Sequence, residues 1–307
     1  MAVESKILNI EPIDLEYVGI KKGSLDGKVA VITGGVNNIG LGYSRAVAWA
    51  GAKVVVSDIN EENGNETQRV INEETNGDNA LFVKCDVTKD EEIKNLARSA
   101  IEKFGKVDIL IHNAMNMTLN GELLKSTISD MDQSYAISAR GFMLLAKEFV
   151  PAMIERKYGV VAYSATQFHY LPPMIGKATY TGGKAAAASL AMSLANEVKD
   201  TGVNVFCLTP AGVNRRPSNP NEPPVAATYS MPGFEGWIPP EVGGAAMVYS
   251  ILNSQKIHGS GIIVNDALDA MKFPYPKPET AVRNKLRRLS DMELTMAMCN
   301  MGKGFDE

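Results

Sequence analysis

Two residues one helical turn apart carry the most chemistry in this chain: Tyr180 and Lys184, at the ends of Tyr-Thr-Gly-Gly-Lys. A free phenol titrates near ~10 and is a poor base at neutral pH. On a helix, residues four apart share a face. A cation placed there favours the phenolate and draws the phenol's pKa down. The pair then serves as proton donor and acceptor for an alcohol or ketone oxygen. Taken alone, such a pair is usually a solvated helix face, so its weight depends on the elements that place it.

A second cluster lies far upstream. Thr33 to Gly42 reads TGGVNNIGLG and sits between a β-branched run and a helical stretch. Glycine there lets the backbone turn sharply and approach a pyrophosphate, whose charge then faces a helix N-terminus. Gly34, Asn38, Ile39 and Gly40 line that turn. Asparagine at 38 is, after glycine, the residue that most readily adopts positive φ. Asp58 closes the following strand, where a carboxylate accepts hydrogen bonds from adenosine ribose hydroxyls and repels a 2′-phosphate. No arginine adjoins it in sequence, so NAD is favoured over NADP. Helix capping by Asp58 is compatible with the same placement.

The spacing of apolar runs predicts strands at 28–33, 53–58, 80–85, 107–112, 160–164 and 203–208. Between them, helices are predicted at 40–50, 61–76, 90–104, 128–155 and 180–199. Connections of this length cannot be hairpins, so each helix is a crossover between parallel strands. Right-handed crossovers give a single Rossmann-like, doubly wound parallel sheet with helices on both faces. Its ligand crevice lies at the carboxyl ends of the strands. This α/β unit is expected over 25–268, with an N-terminal extension (1–24) and a C-terminal linker plus helix (269–307).

The totals exclude several functions. The 307 residues carry a formal net charge of −4, without the basic face that nucleic-acid binding requires. Cys85, Cys207 and Cys299, like His112, His169 and His258, are too scattered to form a metal site, and none is expected. Scarce, odd-numbered cysteine points to a reducing, cytoplasmic setting. The N-terminus lacks a secretory apolar core, and no apolar stretch has the length of a membrane span.

In order and spacing, these motifs resemble the short-chain dehydrogenase/reductase family over roughly residues 25–268. Cys85-Asp86-Val87 resembles the family's adenine-contacting segment, Asn113-Ala114 its signature after the fourth strand, and Tyr180 and Lys184 its Tyr-x-x-x-Lys motif. The resemblance implies that Gly34, Asn38, Ile39, Gly40, Asp58, Asp86, Val87, Asn113, Tyr180 and Lys184 bind the cofactor, with Lys184 holding the nicotinamide ribose. It also implies hydride transfer between NAD(H) and a small-molecule secondary alcohol or ketone, in a homo-oligomer (dimer or tetramer).

Several positions depart from the pattern. The signature glycine after Asn-Ala is Met115, and the relay asparagine of helix four aligns with Ser138. The end of strand five reads Ser164-Ala165-Thr166, so either Ser164 or Thr166 supplies the hydroxyl that orients the substrate oxygen. The expected catalytic set is thus Tyr180, Lys184, Ser164 (or Thr166) and Ser138. These departures leave a second reading: a catalytically impaired subunit that pairs with an active paralogue in a hetero-oligomer. A proline-rich insertion over 214–240, with Tyr229, Met231, Phe234 and Trp237, is expected to be a lid or a subunit contact. Arg215, Arg216 and the basic segment 283–288 read as surface charge.

Overall fold

The computed structural model describes residues 3–8, 10–119, 122–166, 177–210 and 238–273. Seven short strands form one parallel sheet: β1 (Val29–Thr33), β2 (Lys53–Asp58), β3 (Ala80–Lys84), β4 (Ile109–His112), β5 (Gly159–Ser164), β6 (Val203–Thr209) and β7 (Gly261–Ile263). Their order is β3-β2-β1-β4-β5-β6-β7. β1, β4 and β5 are buried at every position, as continuous apolar runs covered on both faces must be. The order reverses between β1 and β4, which pair from Ala30↔Ile109 to Thr33↔His112. Ligands of open α/β sheets bind at this switch point, outside the strands' carboxyl ends.

Alternation along the strands sorts side chains into two cores. On one face Ala30, Ile32, Ile109, Ile111, Val160 and Ala162 pack against α1 (Asn38–Trp49), α2 (Glu61–Glu74), α7 (Pro240–Leu252) and α8 (Val264–Ala270). On the other, Val31, Leu110, Val161 and Tyr163 meet α3 (Asp90–Phe104), α5 (Gly141–Glu155) and α6 (Ala178–Glu197). Leu15, Val18 and Ile20 from the N-terminal segment are buried in the first core.

The helix predicted over 128–155 runs its full length but widens in its middle. Thr127 and Asp130 form a reciprocal capping box that starts α4 (Ile128–Tyr135). A wide π turn (Ala136–Arg140) follows before α5 resumes. Apolar spacing does not register one extra residue per turn, and π turns concentrate at functional sites. The last helical crossover and strand, α7 and β7, also escaped the sequence reading. α7 is buried nearly all round and has little periodicity, and β7 has only three residues.

Four separate segments meet at Arg45 on α1, whose side chain is wholly buried. Its guanidinium bonds Glu241 at the head of α7 (2.8 Å), Glu74 at the end of α2, and the Glu11 carbonyl (2.6 Å). Arg45→Met is expected to leave two nearly buried carboxylates uncompensated and to lower unfolding stability by ~3–5 kcal/mol. A denaturant titration checks this, and an unchanged midpoint would contradict it.

Candidate active site at the strand tips

β1 delivers Gly34, whose φ of +64° is the left-handed geometry open to glycine. A Cβ on Gly40 would lie 1.9 Å from the Gly34 carbonyl, so the helix start can close on the turn only without a side chain there. Asn38 adopts a φ of +46°, a conformation asparagine tolerates better than most residues. The Asn113 side-chain amide donates to the Gly34 carbonyl (2.9 Å), tying the Asn-Ala signature to this turn. The exposed rim of the turn, the amides heading α1 and the Asp58 carboxylate form a donor–acceptor set suited to a dinucleotide. The side chains present therefore fit the cofactor that the sequence implies.

Asp58 stands at the tip of β2, next to exposed Ile59. Partial burial raises its carboxyl pKa, while the backbone amides of Asn60 and Ile59 draw it down. Asp86 is partly exposed and accepts from the Thr88 amide and hydroxyl (2.9 and 2.7 Å). Val87 beside it is buried.

Lys184 is buried on α6, and its ammonium donates to the Ser164 carbonyl at 2.5 Å. Burial holds its pKa down to about 7. Tyr180 is partly exposed, and desolvation pushes its phenol up to about 12, opposed by a hydrogen bond with the Thr166 side chain. Lowering of the phenol by the lysine, as expected from the spacing, is therefore not the dominant effect in the protein alone. The same desolvation that raises the phenol strips Lys184 of part of its charge.

Thr166, not Ser164, meets Tyr180. Val160, Ala162 and Ser164 share one side of β5, and the Ser164 hydroxyl lies beside the buried Tyr43 phenol in the α1 core. Ser164 thus serves the site through its carbonyl. Its hydroxyl is on the opposite face, because side chains alternate along a strand.

Ser138 lies in the π turn. Its hydroxyl donates to the Met115 sulfur (3.2 Å), and its carbonyl faces His112 Nε2 (3.2 Å), as does that of Ile137 (3.1 Å). Carbonyls only accept, so Nε2 carries the ring proton and Nδ1 accepts from the Thr33 hydroxyl (2.8 Å). Thr33 in turn accepts from the amides of Asn113 and Ala114 (3.2 and 3.3 Å). On the far side of the turn, the Ser134 hydroxyl donates to the Thr179 carbonyl (2.8 Å), next to Tyr180. The π turn is therefore pinned between the glycine turn and the tyrosine helix. The sequence reading missed His112, Ser134 and Tyr163; a histidine directly before Asn113 was the available signal. Arg215, Arg216, most of the 214–240 insertion and the 283–288 segment lie outside the described residues.

Known proteins share this chain's sequence pattern and fold. The model of the short chain dehydrogenase family matches residues 28–223. Tropinone reductase-like 2 of Erythroxylum coca is 30% identical over 198 residues, covering 64% of this chain and 70% of that protein. A 7α-hydroxysteroid dehydrogenase solved with NADH and 7-oxo glycochenodeoxycholic acid superposes with a TM-score of 0.70 at 26% identity, covering 79% of this chain and 94% of that one. L-Sorbose reductase from Gluconobacter frateurii, solved with NADPH and L-sorbose, shares the fold (TM-score 0.69, 23% identity, 79% and 97% coverage). The chain belongs to the short-chain dehydrogenase family of oxidoreductases. Among the described residues, no helix is long and apolar enough to cross a membrane.

His112 is fully buried, and desolvation holds its pKa at about 3. Between that value and ~6.5 the unfolded chain binds a proton that the folded chain refuses, so acid favours unfolding across this window. Each pH unit below ~6.5 is expected to cost up to about 1.4 kcal/mol through this group. His112→Asn is expected to flatten the stability–pH curve between pH 6.5 and 4. Chemical denaturation at several pH values checks this, and a curve of unaltered slope would refute it.

Proposed function

We propose that this chain is an NAD(H)-dependent oxidoreductase that interconverts a secondary alcohol and its ketone. The observation that carries this reading is the convergence of Tyr180, Thr166 and the buried Lys184 ammonium on the carboxyl end of β5, two strands from the glycine turn. Tyr180 passes a proton to or from the substrate oxygen. Thr166, already bonded to that phenol, orients the same oxygen. Lys184 supplies positive charge behind the phenol and, by resemblance to the family, holds the nicotinamide ribose. Gly34, Asn38, Ile39, Gly40 and Asn113 shape the pyrophosphate turn, and Asp58, Asp86 and Val87 receive the adenosine end. When bound, the nicotinamide supplies or accepts the hydride.

NAD is preferred because Asp58 presents a carboxylate where NADP would place its 2′-phosphate. The exposed apolar side chains of Ile128, Tyr135, Met143 and Leu190 on α4–α6 support a homo-oligomer. The buried, free thiols of Cys85 and Cys207 agree with a reducing, cytoplasmic setting. One observation favours the impaired-subunit reading: a serine stands where the family has its relay asparagine, and its hydroxyl proton is donated to the Met115 sulfur.

Titration with NADH, followed by a panel of alcohols and ketones, separates the two readings. Turnover of a panel member is expected. NADH binding without any turnover, restored by a paralogue, would establish the impaired subunit instead. Tyr180→Phe is expected to lower kcat by about 10²–10⁴-fold while NADH affinity stays within a few-fold; undiminished turnover would remove Tyr180 from the chemistry. Asp58→Ala is expected to weaken NADH binding about tenfold and narrow the NADH/NADPH preference, by loss of about two ribose hydrogen bonds. A preference that does not move would contradict its ribose role.

A further inference from the structure

Among the described residues, no carboxylate forms an ion pair with the buried Lys184 ammonium. From β4 it faces His112, which stays neutral. From β6 it faces Cys207, whose thiol burial pushes up to about 12, so it too stays neutral. Tyr180 lies one turn away on the same helix, and Lys177 sits 5.7 Å over the Tyr180 ring at the head of α6. The neighbouring hydroxyls of the π-turn region, Ser134 and Ser138, carry no charge. Besides the Cys207 sulfur, which favours the charged form, the ammonium meets the Ser164 carbonyl and the face of Tyr163, whose ring centroid is 5.0 Å from Nζ.

Tyr163 is well placed for this. It is fully buried on the α6 side of β5. Phe142 meets it edge-on at 5.8 Å and His112 lies against it at 5.7 Å, so the ring is held from two sides under the lysine. Its hydroxyl lies near Ser138 but forms no hydrogen bond of ordinary geometry. The ring, rather than the hydroxyl, is what Lys184 meets. A desolvated cation over a tyrosine face gains substantially from the ring quadrupole.

Resting on the acid–base roles proposed above for Tyr180 and Lys184, we infer that Tyr163 is a positioning residue whose ring face keeps Lys184 an ammonium and thereby keeps the Tyr180 phenol acidic enough to work. The ring touches neither substrate oxygen nor hydride. It sets the charge of the group that does the tuning. With burial holding Lys184 down to about 7, a shift of one unit changes its charge most near neutral pH.

The test replaces Tyr163 by phenylalanine and then by phenylalanines bearing one, two and three ring fluorines, which weaken the quadrupole in steps at nearly constant shape. Two readouts are taken on the full chain. One is the pH titration of the Lys184 ¹³Cε resonance, identified by its loss in Lys184→Arg. The other is the acid limb of the kcat/KM profile for alcohol oxidation. Tyr163→Phe is expected to match the native protein in both. Across the fluorinated series the lysine midpoint should fall stepwise by about one unit in total. The acid limb should rise in parallel, because a less charged lysine stabilises the phenolate less. A lysine midpoint indifferent to fluorine number overturns the inference, as does a shift in Tyr163→Phe as large as that of the trifluorinated ring. Failure of the acid–base reading itself appears separately, as turnover that survives Tyr180→Phe while the Lys184 midpoint still follows fluorine number.

Discussion

The structure is organised around one costly act: burying the Lys184 ammonium at the carboxyl edge of the sheet. A lysine taken out of water without a carboxylate partner tends to lose its proton. Here it is met by the end of β5, through the Ser164 carbonyl, and by an aromatic face rising from the residue before. Its other titratable neighbours from β4 and β6 are held neutral by the same burial. Those strands can be held so close only because apolar cores on both faces make the sheet rigid. The stability surrendered at the site is recovered in those cores, a division of labour usual where function requires an uncomfortable side chain.

The departures from the family pattern form one connected region. Met115 and Ser138, two of these departures, touch one another, and His112 touches Ser138. Met115 takes the Ser138 hydroxyl, and His112 takes the carbonyls of Ile137 and Ser138. Together they convert a stretch of helix into a fixed π turn, braced against Thr33 on one side and the start of α6 on the other. Each substitution looks like a weakened motif when read alone. Read together they are a repacked support, in which a histidine ring and a thioether do the holding.

Much of this was legible in the sequence. Continuous β-branched runs between helical spacings determined the parallel sheet, and the glycine turn located its switch point. The Tyr180–Lys184 spacing placed both side chains on one face of α6. Three features were not legible, each for a physical reason. The π turn inserts a residue that apolar periodicity does not register. Arg45 looks like a surface charge until Glu74, Glu241 and the Glu11 carbonyl, distant in sequence, close around it. The third is the choice between Ser164 and Thr166: strand parity turns Ser164 with Ala162 toward the α1 core, and Thr166 lies beyond the end of β5, where alternation no longer fixes its direction. That parity was available from the letters, but only once it was known which face α6 covers.

The proposed role of the Lys184 charge, to draw the Tyr180 phenol down against the burial that raises it, carries the enzymatic reading. Its most direct measurement is an NMR titration of ¹³Cζ-labelled tyrosine in the NAD⁺-saturated protein, comparing the native chain with Lys184→Met. The account predicts that Tyr180 ionises at least one pH unit lower in the native chain than in Lys184→Met, and below the value of about 12 to which burial, opposed by the Thr166 hydrogen bond, pushes it. Coincident titrations in the two proteins would contradict it.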